Sequence, residues 1–146
     1  MEYTFCVEGE PQGKARARVV RLKNGMSSTY TPDKTVLYEN WVVLSYQKAK
    51  PWNSSRKLEG MLEIDIDAYM KWPKSTSKKK QEAMMRNEIR PTKKPDWDNI
   101  GKVVCDALNG IAYGDDSHIV GGRVQKYYRP EGSLEITIRE VGDGSS

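Results

Sequence analysis

Apolar and polar side chains alternate along two segments of the chain, and each is predicted to be a β-strand. In residues 62–71 every second side chain is apolar, as in a strand with one buried face. Asp65 and Asp67 fall on the opposite face. We interpret them as a solvated strand face, with support of a nearby metal as the alternative. Residues 3–8 alternate in the same way and are also prone to form a strand.

Two other segments carry helix signals. Thr31 is a candidate N-cap, Pro32 suits the first helical position, and apolar residues follow at helical spacing, so a helix is predicted that ends before Pro51. A second helix is predicted around residues 77–90. Residues 12–28 are basic and interrupted by glycine, which is typical of a loop or ragged hairpin. Together with the strands, these elements predict a mixed α/β fold.

A third helix is predicted after Pro95. Proline disfavours helix at the residue before it, and Asp98 suits the N-cap of a helix that runs to Asn109, where Asn-Gly can end it with a left-handed residue. One face of this helix is apolar and the other is polar. The apolar residues are Ile100, Val103, Val104, Ala107 and Leu108; the polar residues are Asn99, Lys102, Asp106 and Asn109.

Acidic residues concentrate around this helix. Asp96 and Asp98, two apart in extended chain, are predicted to point to one side of its N-terminus, which favours anions. Lys102 lies one turn further along. A helix of this length is about 18 Å long, and the residues from Gly110 onward can span roughly 20 Å, so Asp116 can return to the same end. Crowded carboxylates repel one another unless a cation binds them, and hard oxygen ligands favour Mg²⁺ or Mn²⁺.

Length and charge narrow the class of protein. The 146 residues suit one domain, residues 1–146, and 24 Lys or Arg against 20 Asp or Glu give a net charge of +4. Nine of these cations fall in residues 71–94, which predicts a phosphate-binding arm, with a merely solvated surface as the alternative. Two cysteines do not make a disulfide scaffold. Without a signal sequence or a long apolar run, we expect a soluble, cytoplasmic protein without a membrane partner.

The acidic segment resembles the RusA family of Holliday junction resolvases, dimeric Mg²⁺-dependent endonucleases frequently carried by phages and prophages. The resemblance rests on K-P-D-W-D-N-I-G-K-V-V-C-D-A-L-N-G-I-A-Y-G-D-D-S-H-I-V and extends to V-E-G-E-P-Q-G-K-A-R-A-R, Y-T-P-D-K-T-x-x-Y-E, V-Q-K-Y-Y and L-E-I-T-I. It implies a RusA-like α/β domain in which Asp96, Asp98 and Asp116 bind metal and Lys102 is catalytic. Candidate supporting residues from the same motif are Asn99, Asp106 and Asp115.

The implied activity is resolution of Holliday junctions by paired, metal-assisted phosphodiester cleavage in DNA recombination and repair. Its partners would be four-way or branched DNA and a second copy of the chain. Candidate aromatic residues for the dimer interface, or for the core, are Trp41, Trp52, Tyr127 and Tyr128. Candidate DNA contacts are Lys14, Arg16, Arg18, Lys78, Lys79, Lys80, Arg90, Lys93 and Lys94. A non-catalytic DNA-binding module and a metal-dependent enzyme acting on small phosphorylated molecules stay open as alternatives.

Overall fold

The computed structural model describes residues 1–15, 18–30, 32–49 and 56–142, in which strands and helices are mixed along the chain. The strands are β1 (Glu2–Glu8), β2 (Arg18–Arg21), β3 (Ser27–Tyr30), β4 (Met61–Lys71), β5 (Ile119–Arg129) and β6 (Ser133–Val141). The helices are α1 (Asp33–Ala49), α2 (Lys78–Met85) and α3 (Trp97–Leu108), and a short 3₁₀ helix (Asp116–His118) precedes β5. This order confirms the mixed α/β fold.

Four strands form one sheet in the order β1-β6-β4-β5. Strand β6 runs antiparallel to β1 and β4, whereas β4 and β5 are parallel. Parallel neighbours need a long crossover connection, and the crossover here contains α2, α3 and all of the acidic motif. Strands β2 and β3 pair as a separate antiparallel hairpin, one of the two structures predicted for the basic segment that precedes α1.

The hydrophobic core lies between one face of the sheet and the helices α1 and α3. Ile66 of β4 is paired in register with Ile136 of β6, and both are almost completely buried. All the apolar residues predicted for the inner face of α3 are buried, and each such side chain contributes roughly 1.5–3 kcal/mol. This packing fixes the rotation of α3, so its polar face with Lys102 and Asp106 points away from the core.

The opposite face of the sheet carries charged side chains that pair with one another. Arg139 donates to Glu63 at 2.8 Å and to Asp65 at 2.9 Å, and Asp65 also lies 3.9 Å from Arg123. Burial raises the pKa of Asp67, while the charge of Arg123 opposes that rise. The alternation predicted for β4 is confirmed. Its acids are half-buried beside arginines, however, and are not simply solvated.

The helix ends differ from the predicted ones. Helix α1 begins at Asp33, and the Pro32 carbonyl accepts a bond from the Thr35 N–H at 3.0 Å; the predicted cap, Thr31, lies outside the described residues. Helix α2 ends before the predicted residue 90, because Asn87 has φ 63°, a left-handed conformation that stops a helix. Among the helices described, none is long and apolar enough to cross a membrane.

Candidate functional site

The N-terminus of α3 carries the first two acidic candidates, but not in the arrangement predicted. Asp96, not Asp98, is the N-cap residue, with φ −70° and ψ 151°, and α3 begins at Trp97. The Ile100 N–H donates to the Asp96 carbonyl at 3.1 Å. The predictions that Asp98 caps the helix and that both acids lie in one extended segment are therefore wrong. Pro95 disfavours helix at the residue before it but not at the residues after it. Asp96 is therefore the extended N-cap, and the helix begins at the next residue.

The carboxylates of these acids are not used to hold the fold together. Asp96 makes no capping bond with its side chain. Across the residues that the structure describes, no hydrogen bond or ion pair engages the carboxylates of Asp96, Asp98 or Asp116. Asp96 and Asp98 are exposed and Asp116 is half-buried. Their oxygens are therefore available to a ligand, and the first turn of α3 adds a dipole that favours negative charge at Asp98.

Residues 11–15, here called the N-terminal strap, pack across the start of α3. A cavity of about 670 Å³ lies between the strap and the segment that contains Asp96 and Asn99. The Lys14 N–H donates to the Asn99 carbonyl at 3.1 Å. Gly13 leaves no space for a side chain, because a Cβ there would stand 2.9 Å from the Pro95 Cβ and 3.2 Å from the Asn99 Cβ. The strap therefore forms one wall of the cavity beside Asp96.

The ammonium group of Lys14 lies between α1 and α3. Its Nζ is 2.9 Å from Glu39 Oε2 and 3.3 Å from Asp106 Oδ2, and its side chain is 19% exposed. Partial burial by itself lowers the pKa of Lys14, but hydrogen bonds to Glu39 and Asp106 outweigh that effect and raise it. Lys102 Nζ lies 3.5 Å from the same Asp106 oxygen. The predicted supporting residue Asp106 thus links Lys14 to the predicted catalytic lysine.

The second pair of acids follows α3. The Asp115 carboxylate accepts a bond from the Ser117 N–H at 3.1 Å, and hydrogen bonds from Ser117 hold the pKa of Asp115 below its usual range. Asp115 therefore caps the 3₁₀ helix. Burial raises the pKa of the Cys105 thiol to about 11, and the negative charge of Asp116 adds to that rise. Asp116 thus lies close enough to α3 to influence a side chain on it.

The predicted metal ligands do not form a closed site in this conformation. Among residues 1–15, 18–30, 32–49 and 56–142, no three His, Cys, Asp or Glu side chains converge closely enough to hold an ion. The chemistry of the donors nevertheless fits, because unengaged carboxylate oxygens are the ligands that Mg²⁺ and Mn²⁺ prefer. Metal binding by Asp96, Asp98 and Asp116 stays a prediction.

The predicted DNA contacts fall into exposed and engaged groups. Lys78, Lys79 and Lys80 are exposed on α2, and Lys94 is exposed beside the cavity. Lys14 is engaged, as described above. Arg16 lies outside the described residues, and Arg18 is described only through its backbone in β2.

Arg90 and Lys93 are exposed but held against tyrosines of β5. The Arg90 guanidinium lies 4.5 Å from the ring centre of Tyr127, and its Nε donates to the Lys126 carbonyl at 2.9 Å. Lys93 Nζ lies 5.9 Å from the ring centre of Tyr128. Such cation–aromatic contacts orient a side chain without neutralising its charge. Both cations can therefore still attract phosphate.

Three features of the site had not been predicted. Gly13 and Glu39 define the strap and its ion pairs, and the only sequence signal for them is that both stand in the segments that resemble the RusA family. Trp97 is 64% exposed between the two acids, which its apolar character did not suggest.

Among the candidate interface aromatics, Trp41 donates to the Glu8 carbonyl at 2.7 Å, and Trp52 lies outside the described residues.

The crossover thus places Asp96 at the N-cap of α3, and Asp98 and Lys102 one turn apart on that helix. The sequence matches the family Endodeoxyribonuclease RusA over residues 8–139, so the chain belongs to the RusA family of endodeoxyribonucleases. It is also similar to the uncharacterized protein YqaN of Bacillus subtilis strain 168, with 38% identity over 139 residues, 94% of this chain and 95% of that protein. The family predicted from the sequence is confirmed.

Proposed function

We propose that the protein is a Mg²⁺-dependent endodeoxyribonuclease that resolves four-way DNA junctions in the cytoplasm during recombination and repair. One observation carries the proposal within this family: among the described residues, no hydrogen bond or ion pair engages the carboxylates of Asp96 and Asp98 at the start of α3, and Asp98 lies one turn from Lys102. Acids that only stabilised the fold would be paired, as Glu63 and Asp65 of β4 are. Mn²⁺ would substitute for Mg²⁺, because it prefers the same oxygen ligands.

In this proposal each side chain of the site has a separate role in the reaction. Asp96, Asp98 and Asp116 would hold the metal ion, which would supply a water of lowered pKa and charge stabilisation at the scissile phosphate. Lys102 neutralises the charge that develops on the phosphate oxygens during attack. Asp115 holds the 3₁₀ helix from which Asp116 extends. The reaction breaks the bond between phosphorus and the 3′-oxygen, and leaves a 5′-phosphate and a 3′-hydroxyl.

Cations on the same crossover would bind the DNA backbone. The lysines of α2 are exposed, and Arg90, Lys93 and Lys94 lie on the chain that leads from α2 to Asp96. Phosphate contacts set the position of a duplex without reading its sequence. A strand that runs along this surface would be led toward the acids.

We further propose that the working unit is a homodimer. A four-way junction has near two-fold symmetry and must be cut on two opposing strands, whereas each chain supplies one set of acids. Two-fold pairing is the commonest protein symmetry and matches that of the substrate. On a supercoiled cruciform, wild-type protein should make paired cuts and linear DNA, while mixed dimers with one Asp98→Asn subunit should stop at nicked circles. A monomer both free and junction-bound in sedimentation would contradict this mechanism.

A labelled four-way junction, incubated with and without Mg²⁺, tests the activity and separates it from the alternatives. We expect cleavage with Mg²⁺ and binding alone in EDTA. Binding without cleavage under both conditions would favour the non-catalytic module. Neither binding nor cleavage of the junction, with hydrolysis of p-nitrophenyl phosphate, would favour the enzyme for small phosphorylated molecules.

A further inference from the structure

Three charged residues occupy one stripe along the polar face of α3. Asp98, Lys102 and Asp106 are spaced four apart, which places them above one another on a helix. Lys102 Nζ lies 3.5 Å from Asp106 Oδ2, and Lys14 Nζ lies 3.3 Å from the same oxygen. We propose that Asp106 and Lys14 are positioning residues that fix the Lys102 ammonium on the polar face of α3, one turn beyond Asp98. This inference rests on the proposed function and deepens it.

Burial distinguishes this arrangement from an ordinary surface ion pair. An exposed pair is worth little, because ordering two long side chains costs conformational entropy. The side chain of Lys102 is 61% exposed, but that of Asp106 is 26% exposed and is fixed from its other side by Lys14. Glu39 on α1 holds Lys14 in turn at 2.9 Å. Lys102 therefore meets a carboxylate that is already ordered, so less entropy is lost when the pair forms.

The backbone of the strap holds Lys14 in place as well. The Lys14 N–H donates to the Asn99 carbonyl, and the Ala15 N–H donates at 3.3 Å to Oγ1 of Thr35, which is buried in α1. The lack of space at Gly13 keeps the strap against the start of α3. Lys14 is thus a fixed part of the fold, and its charge is compensated by two carboxylates before any DNA arrives. We infer that it acts on Lys102 and not on phosphate.

The charges of the two acids and two lysines in this cluster cancel. Glu39 and Asp106 carry two negative charges, and Lys14 and Lys102 carry two positive ones. Because Lys14 already attracts the shared oxygen of Asp106, that carboxylate holds Lys102 less strongly than an unshared one would. The Lys102 ammonium has three N–H donors, and the ion pair with Asp106 at 3.5 Å engages at most one of them. Two donors remain for a phosphate oxygen or an attacking water.

A double-mutant cycle on the full-length protein tests the proposal. In single-turnover cleavage of a four-way junction, Asp106→Asn should lower the rate by roughly tenfold, within the range for neighbours that act together. In a Lys102→Met background the same change should have no further effect, because there is no ammonium left to position. Lys14→Met should behave alike, since it reaches the pair from outside α3. Junction affinity and its salt dependence should stay unchanged in both variants.

Controls separate positioning from general damage. Glu59→Gln removes the same charge at an exposed site whose ion pair is with Arg56, and it should leave the rate unchanged. Equal rate losses from Asp106→Asn with and without Lys102 would show a structural role only and overturn the proposal. So would an unchanged rate in Asp106→Asn. A weakened salt dependence in Lys14→Met would instead make Lys14 a phosphate contact.

A second measurement needs neither cleavage nor altered residues. In wild-type protein with labelled lysines, NMR relaxation of the terminal methylene groups should show Lys14 and Lys102 restricted relative to exposed Lys34. A Lys102 as mobile as Lys34 would overturn the inference even if the variants did not fold. The failure of the proposed function is distinct, because it would appear as wild-type protein that does not cut junctions while Lys102 is still restricted.

Discussion

Two groups of acidic side chains in this protein differ in how they are neutralised. On the open face of the sheet, Glu63 and Asp65 are bonded to Arg139, with Arg123 nearby. Around α3, the carboxylates of Asp96, Asp98 and Asp116 make no ion pair or hydrogen bond within the described residues. The two groups have the same chemistry, and both lie in or beside the β4–β5 crossover.

We interpret the difference as one between acids that stabilise the fold and acids that are left available to an external ligand. Glu63 and Asp65 take their counterion from the fold itself, because leaving charge unpaired in a partly dry environment is costly. The carboxylates of Asp96 and Asp98 are exposed at the start of α3, so water can solvate them until an external cation binds. Asp106 follows the pattern of the acids of β4, because its carboxylate is paired within the fold with both Lys14 and Lys102.

The largest expected effect comes from replacing the acids around α3. Replacing Asp96, Asp98 or Asp116 with Asn keeps the size of the side chain but removes ligand charge, so junction cleavage in Mg²⁺ should fall by orders of magnitude. Junction binding should survive or strengthen, because a repulsion between carboxylate and phosphate is lost. The melting temperature should not fall, since no partner within the fold is left unpaired. Unchanged cleavage by Asp96→Asn in a gel assay would remove the basis for the site.

A smaller effect, on the salt dependence of DNA binding, is expected from replacing the lysines of α2. If Lys78, Lys79 and Lys80 neutralise phosphates, replacing all three with Gln should flatten the slope of log affinity against log salt by roughly 0.9 per lost contact. A control is the replacement of Lys34 and Lys48, which are also exposed and lie on α1, outside the crossover. An identical slope in the triple variant would show that these lysines are only solvated.

How far the sequence could predict this site depended on how local each interaction is. The apolar spacing of α3 and the alternation of β4 are local patterns, and the structure confirms both. The start of α3 was predicted two residues late, because Asp96 and Asp98 are equally good cap residues and only the packed chain chooses between them. The bonds among Glu39, Lys14 and Asp106 could not be predicted, because they join α1, the strap and α3 across long stretches of sequence.

The structural acids should affect stability and not chemistry. Asp65→Asn removes a charge that Arg139 binds at 2.9 Å and leaves a half-buried guanidinium with fewer partners, so the melting temperature should fall by a few degrees. Cleavage per folded molecule should be unchanged. A loss of cleavage without a loss of stability would instead place Asp65 in the support of the metal, the alternative that its position on β4 left open.

The smallest expected effect is on the pKa of the Cys105 thiol, to which the charge of Asp116 contributes. Burial is the main cause that raises the pKa of this thiol to about 11, and the charge of Asp116 adds to it. Asp116→Asn should therefore lower the Cys105 pKa by a fraction of a unit and speed its alkylation at pH 9, because the thiolate is the reactive form. If Asp116 binds Mg²⁺, adding the ion to wild-type protein should act in the same direction.

The same thiol gives a stability test whose sign follows from proton linkage. The pKa of Cys105 in the folded protein is above its ordinary value, so the folded state binds more protons than the unfolded state between about pH 9 and pH 11. Stability should therefore fall as pH rises through that interval, and Cys105→Ala should remove part of the fall. Exposed Cys6 serves as the control for alkylation. If Asp116→Asn leaves the alkylation rate of Cys105 unchanged at every pH, the charge of Asp116 does not act on this thiol.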